Sequence, residues 1–220
     1  MRNDWGKNTM KITILYDNTS NYPDLIPDWG FSCLVEAYGK KILFDTGAKG
    51  EILLNNMKTL KVNPLEIDEI FISHLHWDHT GGLSSVLAIN PISVYIPWSC
   101  PEPSNAREII KIRDKTELHK NIFSTGELLG IEQSLVVKTE KGLVIIVGCS
   151  HPGVRKILSS VADMGEVYAI IGGLHGFREF HILEPIPLVC PTHCTMNISR
   201  IKTLFPEKYV EGGVGTIIEI

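Results

Sequence analysis

Three imidazoles and a carboxylate lie within residues 74–79, a density of polar side chains that could bind metal. They belong to His74, His76, Asp78 and His79. Burying unpaired polar groups costs free energy, so packing alone does not account for the cluster. Imidazole nitrogens and carboxylate oxygens are ordinary ligands of divalent ions such as zinc. The cluster therefore predicts a site for one divalent metal ion or for a pair of them.

The spacing within this cluster favours a division of the ligands between two ions. Side chains alternate along an extended chain, so His74 and His76 face the same side and are predicted to bind one ion. Asp78 and His79 begin a turn and are predicted to bind a neighbouring ion. The alternative is a cluster of solvated surface histidines. It is disfavoured because an apolar strand leads into the cluster and two glycines follow it, a context typical of a functional motif.

Further chemistry-bearing side chains occur at the ends of other predicted strands. We expect His151 to complete the first metal site and His193 to complete the second. His175 is predicted to be a ligand, a proton donor to the leaving group or a substrate contact. Cys149 is either a thiolate ligand, terminal or bridging, or a small buried residue. Asp45 is either a carboxylate that orients a ligand histidine or a structural residue of a turn.

Hydrophobic periodicity predicts the elements that must position these side chains. Strands are predicted at residues 12–15, 33–37, 41–44, 70–73, 92–96, 135–138, 143–147, 167–171 and 214–220, and a further strand ends at 188–189. Helices are predicted at residues 51–60, 83–88, 154–162 and 196–205.

The two halves of the chain repeat one order of elements. Residues 32–47 and 134–149 each predict a hairpin, and each hairpin is followed by a helix and a strand that ends in a histidine, His74 or His175. Two such copies indicate an internal duplication, with two packed β-sheets and helices outside them. Equivalent strand ends would then lie at one edge and collect the candidate ligands there, a recurring place for chemistry.

Length, composition and charge limit the class of protein. The chain has 220 residues, which predicts a single domain over residues 1–220. Hydrophobic residues make up 44% of the chain and the formal net charge is −4. Bulk charge therefore gives no case for a nucleic acid or an anionic membrane as partner. No apolar run approaches the ~20 residues needed to cross a bilayer.

Cysteine usage and the amino terminus favour a cytoplasmic protein. Five cysteines at wide spacing are not typical of the framework of a disulfide-rich secreted domain, so we expect a reducing compartment. Residues 1–9 lack the apolar central region of a signal peptide. They either form a tail before a domain that starts at Met10 or belong to the domain itself.

These motifs resemble those of the metallo-β-lactamase superfamily over about residues 10–220. Residues 74–79 meet the His-x-His-x-Asp-His pattern of that family in full, while Asp45 matches its earlier aspartate and His193 its last histidine. A branch of metal-dependent hydrolases, related to a dihydropterin ribofuranosylaminobenzene-phosphate synthase, has segments similar to residues 148–151, 172–175 and 191–195. The resemblance implies an α/β (α+β) fold, the αβ/βα four-layer sandwich of two mixed β-sheets flanked by helices.

Some positions depart from the family pattern. Cys149 stands where many members have a metal-bridging aspartate, and residues 130–133 lack the histidine that is usual there. His151 is expected to substitute for one of these two ligands. Residues 97–130 are expected to form a short loop around Trp98, in a place where the insertions of relatives shape the substrate pocket.

Together with the resemblance, the ligands predict a hydrolase with a binuclear centre of two divalent metal ions, most simply Zn²⁺, with iron or manganese as alternatives. A metal-activated hydroxide would attack a small-molecule phosphate ester or phosphodiester. We expect Asp78 to hold the attacking water, and His175 to steady the oxyanion or protonate the leaving group. The alternatives are an iron-dependent oxidoreductase of this fold and a transferase or synthase of pterin-cofactor assembly. Apolar residues near Trp98 leave pairing of two chains into a homo-oligomer open.

Overall fold

The computed structural model describes residues 10–220, so the alternatives for residues 1–9 lie outside the described part of the chain. The strands are Lys11–Tyr16 (β1), Ser32–Ala37 (β2), Lys40–Phe44 (β3), Glu69–Phe71 (β4), Ser93–Pro97 (β5), Glu108–Ile112 (β6), Thr116–His119 (β7), Ile122–Ser124 (β8), Leu135–Thr139 (β9), Gly142–Val147 (β10), Val167–Gly173 (β11), Leu188–Thr192 (β12) and Ile217–Glu219 (β13). The α-helices are Gly50–Thr59 (α1), Trp77–Thr80 (α2), Leu83–Ile89 (α3), Val154–Ser160 (α4) and Ile198–Leu204 (α5).

The strands form two mixed sheets. The first has the order β13-β1-β2-β3-β4-β5-β6, and the second has the order β12-β11-β10-β9-β8-β7. In the first sheet, β2 and β3 form an antiparallel hairpin, and β3, β4, β5 and β6 are parallel neighbours. In the second sheet, β9 and β10 form an antiparallel hairpin, and β10, β11 and β12 are parallel neighbours.

Both halves of the chain follow one topology, in agreement with the predicted duplication. The hairpin of β2 and β3 continues through α1 into the parallel strand β4. The hairpin of β9 and β10 continues through α4 into the parallel strand β11. Since connected parallel strands run in one direction, each half delivers successive strand ends to the same edge of its sheet.

Strand alternation explains the four layers, and β10 illustrates it. Val144 and Ile146 belong to the core between the two sheets, whereas Leu143, Ile145 and Val147 pack in a cluster with α4 and α5. On the other side of the molecule, α1 and α3 cover the outer face of the first sheet. The apolar run of β10 is thus that of a strand buried on both faces. The predicted αβ/βα sandwich is confirmed. Within residues 10–220, no helix is both long and apolar enough to span a bilayer.

Residues 97–130 differ from the predicted short loop. The segment contains three strands: β6 extends the first sheet beside β5, and β7 and β8 form the edge of the second sheet. The chain thus crosses between the sheets within this segment. The expectation of a loop was wrong because these strands are short and half-exposed, with charged residues among them, and therefore lack a continuous apolar pattern.

A buried asparagine of α1 holds the loop between β1 and β2. The Asn56 side-chain amide donates to the carbonyl oxygens of Leu15 (3.1 Å) and Ile26 (2.9 Å). Its oxygen accepts the Ile26 backbone N–H at 2.9 Å. This loop also carries Trp29, whose indole N–H donates to Asp78 at 2.9 Å. Asn56 therefore holds, from α1, a loop that contacts the candidate ligands.

Replacing Asn56 by alanine should lower the free energy of unfolding by about 1–3 kcal/mol, because buried backbone groups of the loop lose their partners. The neighbouring Asn55 is exposed on the same helix, and Asn55→Ala should stay within about 0.5 kcal/mol of the wild type. Urea unfolding of both variants measures the difference. Equal stabilities would show that Asn56 does not anchor the loop.

Candidate metal centre

The candidate ligands lie at the ends of parallel strands of both sheets. Each of these strands is followed within a few residues by polar side chains: Asp45 after β3, His74 after β4, Cys149 and His151 after β10, His175 after β11 and His193 after β12. Across the two sheets, Gly148 packs so tightly on the opposite strand end that a Cβ there would lie 2.2 Å from Ser73 Oγ. The two halves therefore meet at one site.

The backbone is turned at four of these strand ends. Asp45, Ser150, His175 and His193 have φ angles of 52°, 59°, 46° and 47°. This left-handed conformation costs a residue other than glycine roughly 1–2 kcal/mol. Such strain persists where surrounding contacts impose it, and it clusters at functional sites. Its concentration at the strand ends marks them as one functional region.

Asp45 connects two parts of the 74–79 segment. Its Oδ1 accepts the Ser73 backbone N–H at 2.7 Å, and its Oδ2 accepts the Ser73 hydroxyl at 2.6 Å. Oδ2 also lies 2.7 Å from His79 Nδ1. Burial lowers the pKa of His79, but the Asp45 carboxylate outweighs this effect and raises it overall. Asp45 thus orients the His79 ring through Nδ1 and leaves Nε2 as the nitrogen that can bind a metal ion. This is the usual role of a carboxylate that hydrogen-bonds a metal-binding histidine.

A first group of donor atoms surrounds His74. Ligand atoms of His74, Cys149 and His151 all lie within 4.8 Å of one another. The exposed His76 adds Nδ1, 3.0 Å from His74 Nε2. Burial, together with neighbouring imidazoles, lowers the pKa of His74, and the same causes lower the pKa of His151 to about 4. Both rings are therefore neutral at physiological pH, with a lone pair able to bind a cation.

A second group adjoins the first. Ligand atoms of His79, Cys149 and His193 also lie within 4.8 Å of one another. Burial, with His79 nearby, lowers the pKa of His193 to about 3. Asp78 is outside this compact group, but its Oδ2 lies 3.2 Å from His193 Nε2. The structure thus brings together the six residues predicted as ligands, with Cys149 common to both groups.

Residues that sequence reasoning missed hold His193 and Asp78. The loop after β1 supplies Asp17, which accepts the His193 backbone N–H at 2.8 Å, and Asn18, whose Oδ1 lies 3.0 Å from His193 Nδ1. Trp29 packs edge-on against the His193 ring, with centroids 5.1 Å apart, while its N–H binds Asp78. These contacts join positions 49 to 176 residues apart in the chain, and no local pattern reports them.

Glu132 and Gln133 clamp both sides of the site. Glu132 Oε1 accepts the backbone N–H groups of Gly148, Cys149 and Ser150 at 3.0–3.1 Å, and Oε2 accepts that of His151 at 2.8 Å. Gln133 binds the other side, because its backbone N–H and side-chain amide donate to the carbonyls of residues 73 and 72, each at 2.9 Å. Burial raises the pKa of Glu132, against the effect of these N–H groups. Neither role is visible in the sequence, where residues 130–133 stand out only because they lack a histidine.

His175 lies at the rim. Its side chain is exposed, and its ring centroid is 5.1 Å from that of His151. It is not part of the compact donor groups found among residues 10–220. This position agrees better with a proton donor or a substrate contact than with a ligand, and it leaves those two roles open.

The donor set fits divalent metal ions. Nε2 of His151 is buried and has no hydrogen-bond partner among the described residues, and the buried Nε2 of His193 faces the Asp78 carboxylate at 3.2 Å without an aligned hydrogen bond. Buried polar atoms are nearly always paired, so an orphan requires an explanation. An ion coordinated by these nitrogens would satisfy both. Imidazole and sulfur donors favour zinc, iron or cobalt over magnesium or calcium.

A depression opens beside the first group. It is lined by His74, Leu75, His76, Ser99, Cys100, Gly130 and Ile131. Ser99 and Cys100 belong to the segment of residues 97–130. This segment is not the expected loop, but it still forms part of the wall of the depression. Next to Ser99, the Trp98 ring is flanked by Arg113 at 4.3 Å and by Lys111 at 5.7 Å. These two cations thus lie one residue away from the lining, whereas Ser99 itself donates hydrogen bonds to the Glu127 carboxylate.

Comparison with known proteins gives a consistent result. A model of the metallo-β-lactamase superfamily matches residues 28–195. A Methanocaldococcus jannaschii protein named 7,8-dihydropterin-6-methyl-4-(β-D-ribofuranosyl)-aminobenzene-5′-phosphate synthase is 32% identical, covering 92% of each chain. An uncharacterized protein of that organism is 27% identical, covering 95% of this chain and 100% of its own. The crystal structure of a metal-dependent hydrolase of the β-lactamase superfamily is 26% identical, with TM-score 0.77 over 96% of this chain and 99% of its own.

The role of Glu132 can be tested by Glu132→Gln, which keeps the shape of the side chain but turns an NH₂ group towards backbone N–H donors. We expect the free energy of unfolding to fall by about 2–4 kcal/mol, since hydrogen bonds to a charged group are lost. Glu207 is exposed, and Glu207→Gln should change stability by less than about 0.5 kcal/mol. If the two variants unfold at the same denaturant concentration, Glu132 is not the anchor.

Proposed function

Since the chain belongs to the metallo-β-lactamase superfamily, we propose that it is a metal-dependent hydrolase of phosphate esters or phosphodiesters. The observation that carries this proposal is the pair of adjoining donor groups, in which Nε2 of His151 is buried without a partner and the buried Nε2 of His193 faces only the Asp78 carboxylate, outside hydrogen-bond geometry. Histidines with only a structural role would not explain why two clusters of metal-binding atoms adjoin each other. A binuclear site accounts for both orphan nitrogens at once.

In this proposal, the first ion is held by His74, His76 and His151, and the second by Asp78, His79 and His193. Zinc is the simplest choice, because imidazole donors dominate the set. When bound, two divalent ions polarise a phosphoryl oxygen and lower the pKa of water at the site towards neutrality.

Asp78 is proposed to hold the attacking water and to take its proton. The Trp29 indole N–H donates to Oδ2 and fixes the plane of the carboxylate, so that Oδ1 is the atom proposed to accept the proton. A base held in this way contributes about 10²–10⁴-fold to the rate. Its fixed orientation also reduces the entropy lost on reaching the reactive geometry.

His175 is proposed to protonate the leaving group. It lies at the exposed rim, close to His151, where a departing alcohol would leave towards solvent. Lys111 and Arg113, on the Trp98 ring, lie next to the depression and would attract an anionic substrate. A small phosphorylated molecule suits this depression better than a nucleic acid, since the chain has a net charge of −4.

A second candidate function is a synthase step in pterin-cofactor assembly. It is favoured by one observation, the 32% identity over 92% of both chains with the synthase of Methanocaldococcus jannaschii. The named product of that enzyme contains a pterin, an aminobenzene ring and a 5′-phosphate. The exposed Trp77 and Trp98 would offer flat apolar surfaces to such rings. Both candidates share the metal centre and differ in whether water or an organic group attacks.

The hydrolase proposal predicts that protein purified without chelator contains zinc, iron or manganese, and that it cleaves bis(p-nitrophenyl) phosphate. Removal of metal with a chelator should abolish turnover, and zinc should restore it. Asp78→Asn should lower kcat by about 10²–10⁴-fold, whereas Asp24→Asn, at an exposed position, should not change it. Undiminished turnover by metal-free protein would contradict the proposal.

The same preparation distinguishes the alternatives. Metal-loaded protein that is silent on phosphodiesters would move the function to the synthase if it joins a ribofuranosylaminobenzene 5′-phosphate to a dihydropterin that carries a leaving group on its 6-methyl carbon. The new bond to that carbon replaces the bond to the leaving group, and the attacking nitrogen loses a proton. A coloured, iron-only protein that consumes oxygen would instead support the oxidoreductase. Mass spectrometry of the product and metal analysis measure these outcomes.

A further inference from the structure

Cys149 occupies a place that the proposed ligand set does not use. Its ligand atom lies within 4.8 Å of those of His74 and His151 in one donor group, and within 4.8 Å of those of His79 and His193 in the other. A residue that only fills space in the core does not need its sulfur close to the donor atoms of both groups. Its sulfur is therefore near enough to the donor atoms of both groups to reach an ion held by either of them.

The backbone fixes this sulfur in place. The N–H groups of Gly148, Cys149 and Ser150 all donate to one oxygen of Glu132. A Cβ at Gly148 would lie 3.0 Å from His74 Nδ1, so the end of β10 already touches the segment of the first group. Because both sides are held, the backbone of Cys149 cannot move away from the ligands without breaking these contacts.

The distances suit metal coordination. His79 Nε2 lies 3.2 Å from Cys149 Sγ. Two donors of one tetrahedral zinc ion, at Zn–N of about 2.0–2.1 Å and Zn–S of about 2.3 Å, are separated by roughly 3.6 Å. A shift of a few tenths of an ångström therefore converts the observed contact into a shared coordination shell. Meanwhile Nδ1 of His79 is taken by Asp45, which leaves Nε2 as the ligand atom on the side of the sulfur.

We infer that Cys149 supplies a thiolate that bridges the two metal ions, in the place where many relatives have a carboxylate. The inference rests on the proposed metal-dependent function. On binding, the thiol releases its proton to solvent, and one sulfur lone pair binds each ion. A sulfur bridge would favour zinc, iron or cobalt over manganese and magnesium, because soft donors prefer these ions.

Cys194 is the natural control. Its sulfur also lies beside the site, where it contacts the Cys149 carbonyl oxygen at 3.8 Å, packs against Gly173 and is within hydrogen-bond reach of the side chains of Cys149 and His175. It belongs to none of the compact donor groups found among residues 10–220. Removal of the Cys194 thiol should therefore leave the sulfur ligation unchanged.

Cobalt(II) titration of the metal-free full-length protein tests the bridge directly, because thiolate-to-cobalt charge transfer absorbs in the near ultraviolet and histidine ligation does not. We expect the band to grow with the first equivalent of cobalt and again with the second. It should be absent in Cys149→Ser and Cys149→Asp and retained in Cys194→Ser. Cys149→Asp should still bind two equivalents of cobalt, because a carboxylate can also bridge.

The outcomes separate this inference from the function on which it rests. Two bound cobalt ions without the band would overturn the thiolate and leave the metal-dependent function standing. A band that saturates at one equivalent while a second ion binds would overturn the bridge. Failure to bind cobalt at all would overturn the proposed function itself.

Zinc K-edge X-ray absorption on the wild-type protein gives the same answer without any variant, and so does not depend on the folding of the Cys149 substitutions. A bridge predicts one sulfur neighbour for every zinc ion. A shell of nitrogen and oxygen alone would contradict it.

Discussion

Buried carboxylates that accept hydrogen bonds fix each side of the site, and Gln133, next to Glu132 in the chain, joins the two sides by donating to the carbonyls of residues 72 and 73. Asp45, from the first half of the chain, binds the Ser73 N–H and hydroxyl and orients His79. Glu132, from the second half, collects the N–H groups of residues 148–151. Isolated charges are costly to bury, but several hydrogen bonds offset that cost. Without these two residues, nothing of comparable strength would keep the donor atoms at ligand distances.

The duplicated topology explains why the two sides meet. Each half runs through a hairpin, a helix and a parallel strand, and each therefore delivers polar residues to one end of its sheet. Packing of the sheets face to face brings those ends together, with Cys149 in both donor groups. The strained φ angles of Ser150, His175 and His193 show that the turns are imposed by this arrangement and are not the preference of the residues themselves.

Much of this architecture could be predicted because its signals are local. Apolar runs such as that of β10 identify the buried strands, and the density of imidazoles in residues 74–79 identifies the candidate ligands. The strands of residues 97–130 were not predicted because β6, β7 and β8 are short strands at or next to a sheet edge, and they are stabilised by neighbours in the sheets and not by their own pattern. The role of Glu132 was not predicted because its partners are backbone groups sixteen to nineteen residues away. Backbone N–H donors are present whatever the residue type, so the sequence does not reveal them.

The central claim is that the strand ends of both halves build one binuclear centre around Cys149. Anomalous scattering at the zinc edge from crystals of the zinc-loaded protein tests it most directly. The account predicts two peaks about 3.5–4 Å apart, one among His74, His76 and His151 and the other among Asp78, His79 and His193, with the Cys149 sulfur between them. A single peak, or two peaks that do not share this sulfur, would contradict it.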